Sequence, residues 1–359
     1  YKLNMNLNLI IDYLILSIIA SFAINMIFRN IAKAYNILVD LPDKSRKFHI
    51  RATPLTGGIS IISAALISGK LYIDFNDLSG YVPLFSYNLM ISSIVLVALF
   101  LFDDFKGLKA SVRLVFQAAL ALFMVISTDT YISNLGNIFG SGDLELGWFS
   151  VPFTVFCVVG IMNAFNMIDG INGLCSGCAM VALLFIGFSS GLIYDSMLVL
   201  LIGSVIGFLF FNLGILGKKR AVFLGDHGSN MIGFWVAWAA ILSSQSSIYK
   251  IMPITMIWFV AIPLLDCIGL MFSRKAKGVS FSTPGRDHIH HKLMNKFTPG
   301  GTLLIILLIS FFLGFFALLV ERFYSAQVSF VLFIIFAGIY YFFAYYFENI
   351  RTKGRVKNV

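Results

Sequence analysis

Val95-Leu96-Val97-Ala98-Leu99-Phe100-Leu101-Phe102-Asp103-Asp104 decides the fold class, because an unbroken apolar run ends on two adjacent carboxylates. Such a run, repeated along a chain, calls for lipid around it, and acids at its end mark the hydrocarbon boundary. Carboxylates placed there are costly without a purpose. Adjacent acids on a helix point in different directions, so they suit two roles better than one symmetric site. A hard cation takes oxygen ligands, and Mg²⁺ usually takes one or two carboxylates while water and substrate phosphate complete its shell.

The same pattern recurs on both sides of this stretch. Apolar runs that could span a bilayer occur near Leu7–Phe28, Leu55–Ile73, Asn88–Phe102, Val112–Ser127, Trp148–Met162, Leu174–Ser190, Ser196–Leu216, Met231–Ser244, Ile251–Phe272, Thr302–Val320 and Ala326–Phe347. The expected fold is therefore all-α, a polytopic membrane protein of about eleven transmembrane helices. Composition agrees: 59% of the 359 residues are hydrophobic and 12% charged, against about 25% charged in an ordinary globular domain. No internal repeat or low-complexity tract interrupts the chain, so residues 1–359 read as one integral membrane domain.

The charges orient it. With the N-terminus outside, the outer connections hold only Lys2, Lys70, Lys250 and Arg322, and the remaining Lys and Arg of the 26 fall inside, as the positive-inside rule requires. The C-terminal tail, with Arg351, Lys353, Arg355 and Lys357, is then cytoplasmic. A net charge of +9 explained in this way gives no reason to invoke nucleic acid. Cys157, Cys175, Cys178 and Cys267 lie in or beside apolar segments, so neither a disulfide framework nor a zinc site is expected. Leu7–Phe28 is long enough to span and has no small-residue cleavage site after it, so no cleavable signal peptide is expected.

This orientation collects the unusual polar residues at one face. All five histidines (His49, His227, His288, His290 and His291) and the carboxylates Asp103, Asp104, Asp169 and Asp226 fall on the inner side. A transporter would more often carry ionisable groups near the midplane, in broken helices, and two pseudo-equivalent halves. Gly285-Arg286-Asp287-His288-Ile289-His290-His291 gathers three imidazoles and a guanidinium, donors suited to phosphate. Asn163-Ala164-Phe165-Asn166-Met167-Ile168-Asp169-Gly170-Ile171-Asn172-Gly173-Leu174 sets amides and a carboxylate among glycines, which can read a sugar or a base and let backbone N–H groups approach phosphate. Gly225-Asp226-His227-Gly228-Ser229 places a carboxylate at a helix start, either as N-cap or as metal ligand. Asp266, after Pro263-Leu264-Leu265, is an ionisable residue inside a span and hence a functional candidate. The first inner loop carries Lys47 and His49 before Pro54-Leu55-Thr56-Gly57-Gly58.

Taken in order, these strings resemble the polyprenyl-phosphate N-acetylhexosamine-1-phosphate transferase family, and most closely its bacterial branch transferring GlcNAc-1-phosphate from UDP-GlcNAc to undecaprenyl phosphate. The resemblance spans nearly the whole chain. It implies catalytic roles for Asp103, Asp104, Asp169 and Asp226, with Asp226 and Asp104 holding Mg²⁺ or, alternatively, Mn²⁺. It implies a substrate-binding set of Lys47, His49, Asn163, Asn166, Asn172, Asp266, Arg286, His288, His290 and His291. Ile289 interrupts the consecutive histidines of the sister phospho-N-acetylmuramoyl-pentapeptide transferases, which favours the GlcNAc branch. Asn172 departs from the family's usual aspartate, keeping size and hydrogen bonding without the charge. The implied setting is the bacterial cytoplasmic membrane, with the active site facing the cytoplasm, undecaprenyl phosphate, UDP-GlcNAc and membrane lipids as partners, and a homodimer as one assembly open to it. The implied task is the first membrane step of envelope polysaccharide assembly, such as O-antigen lipopolysaccharide. A relative using another UDP-N-acetylhexosamine, and a transporter of polyprenyl- or nucleotide-linked sugar, are the alternatives.

Overall fold

The computed structural model of the chain describes residues 7–41, 52–75, 84–191, 196–246, 251–279, 285 and 287–356. These are almost wholly helical: α1 (Leu7–Tyr35), α2 (Gly57–Phe75), α3 (Leu84–Lys106), α4 (Ala110–Thr128), α5 (Ser150–Ile168), α6 (Leu174–Ser190), α7 (Ser196–Asn212), α8 (Asp226–Gln245), α9 (Pro253–Phe259), α10 (Ala261–Ala276), the short α11 (Ile289–Leu293), α12 (Pro299–Phe323) and α13 (Ala326–Val356). A two-stranded antiparallel ribbon pairs β1 (Val39–Asp40) with β2 (Thr53–Pro54), Val39 opposite Pro54.

All eleven apolar runs of the sequence fold as helix over most of their length, but they differ in reach. Seven of the described helices are long and apolar enough to cross a membrane, namely α1 to α5, α12 and α13. α9 and α10 qualify as an eighth only when taken together, and they are bent by 82° at their break. α6 and α7 have 17 residues each, about 26 Å of helix at 1.5 Å per residue, short of a roughly 30 Å hydrocarbon core. α8 begins Asp226-His227-Gly228-Ser229-Asn230 and is less apolar for it. The protein is thus a polytopic, nearly all-α membrane protein with seven or eight helices of spanning length among the described residues, where the sequence led us to expect eleven.

The chain forms two compact units, Tyr1–Thr130 with Ser190–Trp235, and Tyr131–Ser189 with Val236–Val359, so that α8 runs from the first into the second. In the first unit α1 lies against α7 and α2. Lipid supplies no hydrophobic drive for such contacts, so close backbone approach at small residues does the work. A Cβ on Gly203 would lie 2.8 Å from the Leu14 carbonyl oxygen, and one on Gly207 would lie 2.6 Å from that of Ile18. Ser21 Oγ donates to the Ser204 carbonyl at 2.6 Å across the same contact. Trp235 Nε1 donates to Ser93 Oγ at 2.8 Å, tying α8 to α3.

The second unit packs α10 on α5 and α9 on α12. Trp258, at the end of α9, sits edge-on to Phe316 and Phe333 and donates from Nε1 to Ser329 Oγ at 3.1 Å, so one indole joins α9, α12 and α13. Glu321 of α12 accepts from the Met252 N–H at 3.0 Å and from the Thr255 hydroxyl, which satisfies the first turn of α9 where a free N–H in lipid would be costly. The loop after α4 is held by Gln245, whose Oε1 accepts from Ser133 N and whose Nε2 donates to the Asn134 carbonyl, both at 3.0 Å.

Substituting Gly207→Val should force α1 from α7 and cost about 1–3 kcal/mol, the usual penalty of overpacking. A lowered melting temperature in detergent is the expected readout. Gly338→Val on α13, where a Cβ meets nothing within 4 Å, should leave it unchanged.

Candidate functional site

In the first unit, backbone hydrogen bonds draw separate sequence motifs together. Phe223 N donates to the Pro54 carbonyl at 2.8 Å, Gly57 N to that of Phe223 and Gly58 N to that of Leu224, both at 3.0 Å. This splint brings the start of α2 against the start of α8 so closely that a Cβ on Gly58 would lie 2.5 Å from Gly228 Cα. Gly225, at φ +78°, turns the chain into α8, whose first residue is the half-exposed Asp226. Asp103, in the last turn of α3, is 6% exposed, and its Oδ1 accepts from Leu108 N at 2.5 Å across the turn into α4. Arg113 follows in the first turn of α4, its Nη1 3.4 Å from Asp103 Oδ2 and 3.7 Å from Asp226 Oδ2. Asp104 points elsewhere, its Oδ2 3.1 Å from Nδ1 of the fully buried His227. Gln117 of α4 donates to Asn230 Oδ1 at 2.6 Å, while Asn230 Nδ2 donates back to the Asp226 carbonyl at 2.8 Å. Asp103, Asp104 and Asp226 therefore form one cluster with Arg113 and His227.

The second unit holds a different cluster. Asn163 and Asn166 lie in the last turns of α5, Asp169 closes that helix, and Gly173 at φ +80° starts α6. Asn163 Nδ2 donates to the Val159 carbonyl at 2.8 Å, and Asn172 is exposed on the turn. Asp266, buried in α10, accepts at Oδ1 from Ile289 N at 2.8 Å and from Tyr340 Oη at 3.4 Å, while its Oδ2 lies 2.8 Å from His288 Nδ1. It thus stands behind the histidine loop, fixing it rather than facing outward. The three imidazoles lie against one another: His288 stacks on His290 with centroids 5.3 Å apart, and His291 sits tilted against His290 at 4.2 Å. His290 also presses on the Asp169–Gly173 turn: a Cβ on Gly170 would lie 2.7 Å from His290 Cε1 and closer still to Nε2. Burial first, then the neighbouring His291 and His288, push its pKa down to about 2, so His290 is neutral.

Lys47, His49 and Arg286 lie outside the described residues. Arg113, His227, Gln117 and Tyr340 were assigned no role from sequence. Arg113 sits just inside an apolar run and could have been noticed as a cation at a helix start; nothing local marks Gln117 or Tyr340.

Among the described residues no three His, Cys, Asp or Glu side chains converge as a metal site. Mg²⁺ does not require three, since it commonly binds through one or two carboxylates and keeps its waters. Asp104 and the half-exposed Asp226 offer oxygen donors of the kind a hard cation takes on those terms.

Comparison with known proteins follows the same residues. The glycosyl transferase family 4 profile matches residues 86–244. The chain is 36% identical over 314 residues, 86% of its own length and 83% of the relative's, to the undecaprenyl-phosphate alpha-N-acetylglucosaminyl 1-phosphate transferase of Escherichia coli O157:H7. It is 33% identical over 311 residues to the protein of that name from Yersinia pestis, covering 84% of this chain and 82% of the relative. For the Haemophilus influenzae protein the identity is 32% over 328 residues, 89% of this chain and 88% of the relative.

The neutral His290 gives stability a pH dependence. In the unfolded chain the imidazole protonates below about 6.5, whereas the folded one resists until about 2, so lowering the pH favours unfolding from roughly pH 7 downward. One proton sets a limit of about 1.4 kcal/mol per pH unit. Melting in detergent between about pH 7.5 and about pH 5 should show the loss, and His290→Leu should flatten the slope.

Proposed function

Because the chain belongs to glycosyl transferase family 4, among undecaprenyl-phosphate alpha-N-acetylglucosaminyl 1-phosphate transferases, we propose that it moves GlcNAc-1-phosphate from UDP-GlcNAc to undecaprenyl phosphate, giving undecaprenyl-pyrophosphoryl-GlcNAc and UMP. The observation that carries this reading to the residues is the cluster of Asp103, Asp104 and Asp226 around Arg113 and His227, acids and cation gathered at helix ends. The setting we propose is the bacterial cytoplasmic membrane, crossed eleven times if the shorter α6, α7 and α8 are counted with the bent α9–α10 pair, with the N-terminus outside and the polar clusters on the cytoplasmic face. The product would open the assembly of an envelope polysaccharide.

The chemical difficulty is that both substrates are anions. A lipid-phosphate oxygen must attack the sugar-bearing phosphorus of UDP-GlcNAc; that P–O bond forms as the bond to the UMP oxygen breaks, and UMP leaves with the electron pair. A Mg²⁺ ion held by Asp226 and Asp104 would neutralise phosphate charge in this reaction. Arg113, which Asp103 and Asp226 hold from two sides, adds a guanidinium for a phosphate oxygen. The second pKa of a phosphate monoester is near 6, so the acceptor is largely dianionic at neutral pH. It needs no strong base. Asp103, enclosed between Leu108 N and Arg113, then serves to aim the guanidinium. For the nucleotide sugar we assign Asn163, Asn166, Asp169 and Asn172, and for its diphosphate His288 and His291 with Arg286, Lys47 and His49. Neutral His290 supports the loop against Gly170 and offers hydrogen bonding, not charge. Asp266 acts through His288.

Purified protein given UDP-GlcNAc, undecaprenyl phosphate and Mg²⁺ should release UMP, with both substrates required. Chelation should abolish release and Mg²⁺ or Mn²⁺ should restore it. Asp226→Asn should lose on the order of 100-fold or more in kcat, as removal of a charge-stabilising group does. A folded wild type that releases UMP only with another UDP-N-acetylhexosamine would redirect the specificity, and lipid binding without UMP release would point to transport.

A further inference from the structure

The Asp104–His227 pair has an asymmetry that the transfer reaction as described does not use. His227 is 0% exposed, and its ring is clamped between glycines: a Cβ on Gly58 would lie 2.5 Å from Cδ2 and one on Gly225 2.5 Å from Cε1. Its Nδ1 lies 3.1 Å from Asp104 Oδ2, whereas its Nε2 is buried with no hydrogen-bond partner among the described residues. Were the proton on Nε2, an N–H would be buried without an acceptor while a bare Nδ1 lone pair faced a carboxylate oxygen. With the proton on Nδ1, the hydrogen bond to Asp104 is made and one lone pair is left dry, which is the cheaper arrangement.

Asp104 depends on this contact. Asp103 is held from two sides, by Leu108 N and Arg113, but among the described residues no hydrogen bond other than that of His227 reaches the Asp104 carboxylate. We propose that His227 is a positioning residue: as the Nδ1–H tautomer it holds Oδ2 of Asp104, fixes the plane of that carboxylate, and leaves Oδ1 as the oxygen presented to the chemistry. The glycines at 58 and 225 set the ring's rotamer by leaving room for it in one plane. A buried histidine that only fills space would need neither the Nδ1 contact nor the orphaned Nε2. This inference rests on the reading that Asp104 serves the transfer reaction.

Three substitutions separate positioning from packing. In His227→Asn the amide nitrogen falls where Nδ1 was; in His227→Gln it reaches toward the Nε2 position; His227→Leu keeps bulk and no donor. Loss of a group that orients a ligand commonly costs about 10–100-fold. The Leu and Gln variants should lose that much in kcat for UMP release with KM for both substrates little changed, while Asn should stay close to wild type. Mn²⁺ binding, followed by electron paramagnetic resonance without substrates, should weaken in the Leu variant and persist in the Asn variant. Equal kcat in all three folded variants would overturn the proposal. Asp104→Asn tests the premise separately: full activity there would sink the role of Asp104, whatever His227 does. If the 227 variants fail to fold, ¹⁵N-histidine spectra of the wild type decide, with the His227 signal assigned by elimination against single variants of the other four histidines. An Nδ1–H donated to Asp104 is expected, and an Nε2–H tautomer with a bare Nδ1 would refute the inference.

Discussion

The acidic cluster depends on three backbone hydrogen bonds, those joining Pro54, Gly57 and Gly58 to Phe223 and Leu224. They are made by main-chain groups at the starts of two helices, where first-turn N–H donors would otherwise lack partners. Gly57 and Gly58 permit them: a side chain at 57 would press on the backbone of Phe223 and Leu224, and one at 58 on Gly228 and His227. Only with α2 and α8 this close can Asp226 share Arg113 with Asp103, and only then is the His227 pocket closed. What looks in the sequence like an ordinary small-residue pair before a span is the fixture on which the acidic cluster is built.

Two aspartate–histidine pairs solve opposite problems with the same chemistry. In Asp104–His227 the imidazole is hidden, and among the described residues the carboxylate keeps an unengaged oxygen. In Asp266–His288 the carboxylate is buried, with Ile289 N and Tyr340 Oη completing its hydrogen bonds, and the imidazole is held by Nδ1 so that its other nitrogen faces away from the aspartate. Orienting a functional ring or carboxylate through a buried partner limits how far it can swing, which is what charge stabilisation without reorganisation requires. The break between α9 and α10 belongs to this scheme, because α10 starts anew at Ala261 and carries Asp266 in its second turn, while Glu321 satisfies the N-terminal start of α9.

The sequence made legible whatever is carried by local chemistry. Acids beside apolar runs marked Asp103, Asp104 and Asp226, which the fold brings into one cluster, and amides among glycines marked the end of α5 and the Asp169–Gly173 turn. Helix existence was legible too, since each apolar run is a helix. Reach was not: the runs of apolar residues do not mark the 17-residue lengths of α6 and α7 or the 82° bend after Phe259. Partners distant along the chain were also hidden. Arg113 joins acids from two helices, Tyr340 meets Asp266 across 74 residues, and Gly170 owes its identity to His290. An ionisable group inside a span, such as Asp266, invites a substrate-binding reading from the sequence, which does not reveal that its carboxylate faces Ile289 N, Tyr340 Oη and His288 Nδ1.

Asn172 fits this picture better as a neutral residue than as a lost acid. It is exposed on a turn that already carries Asp169 and lies against His290, which burial keeps uncharged. A second carboxylate there would face a diphosphate with no imidazolium at position 290 to offset it. An amide offers the same reach and a donor as well as an acceptor, so it can hold a sugar or phosphate oxygen without adding repulsion. If the turn binds the nucleotide sugar as proposed, the charge that matters at this end of α5 is that of Asp169 alone, and on the same proposal the negative charge for a metal would come from Asp104 and Asp226.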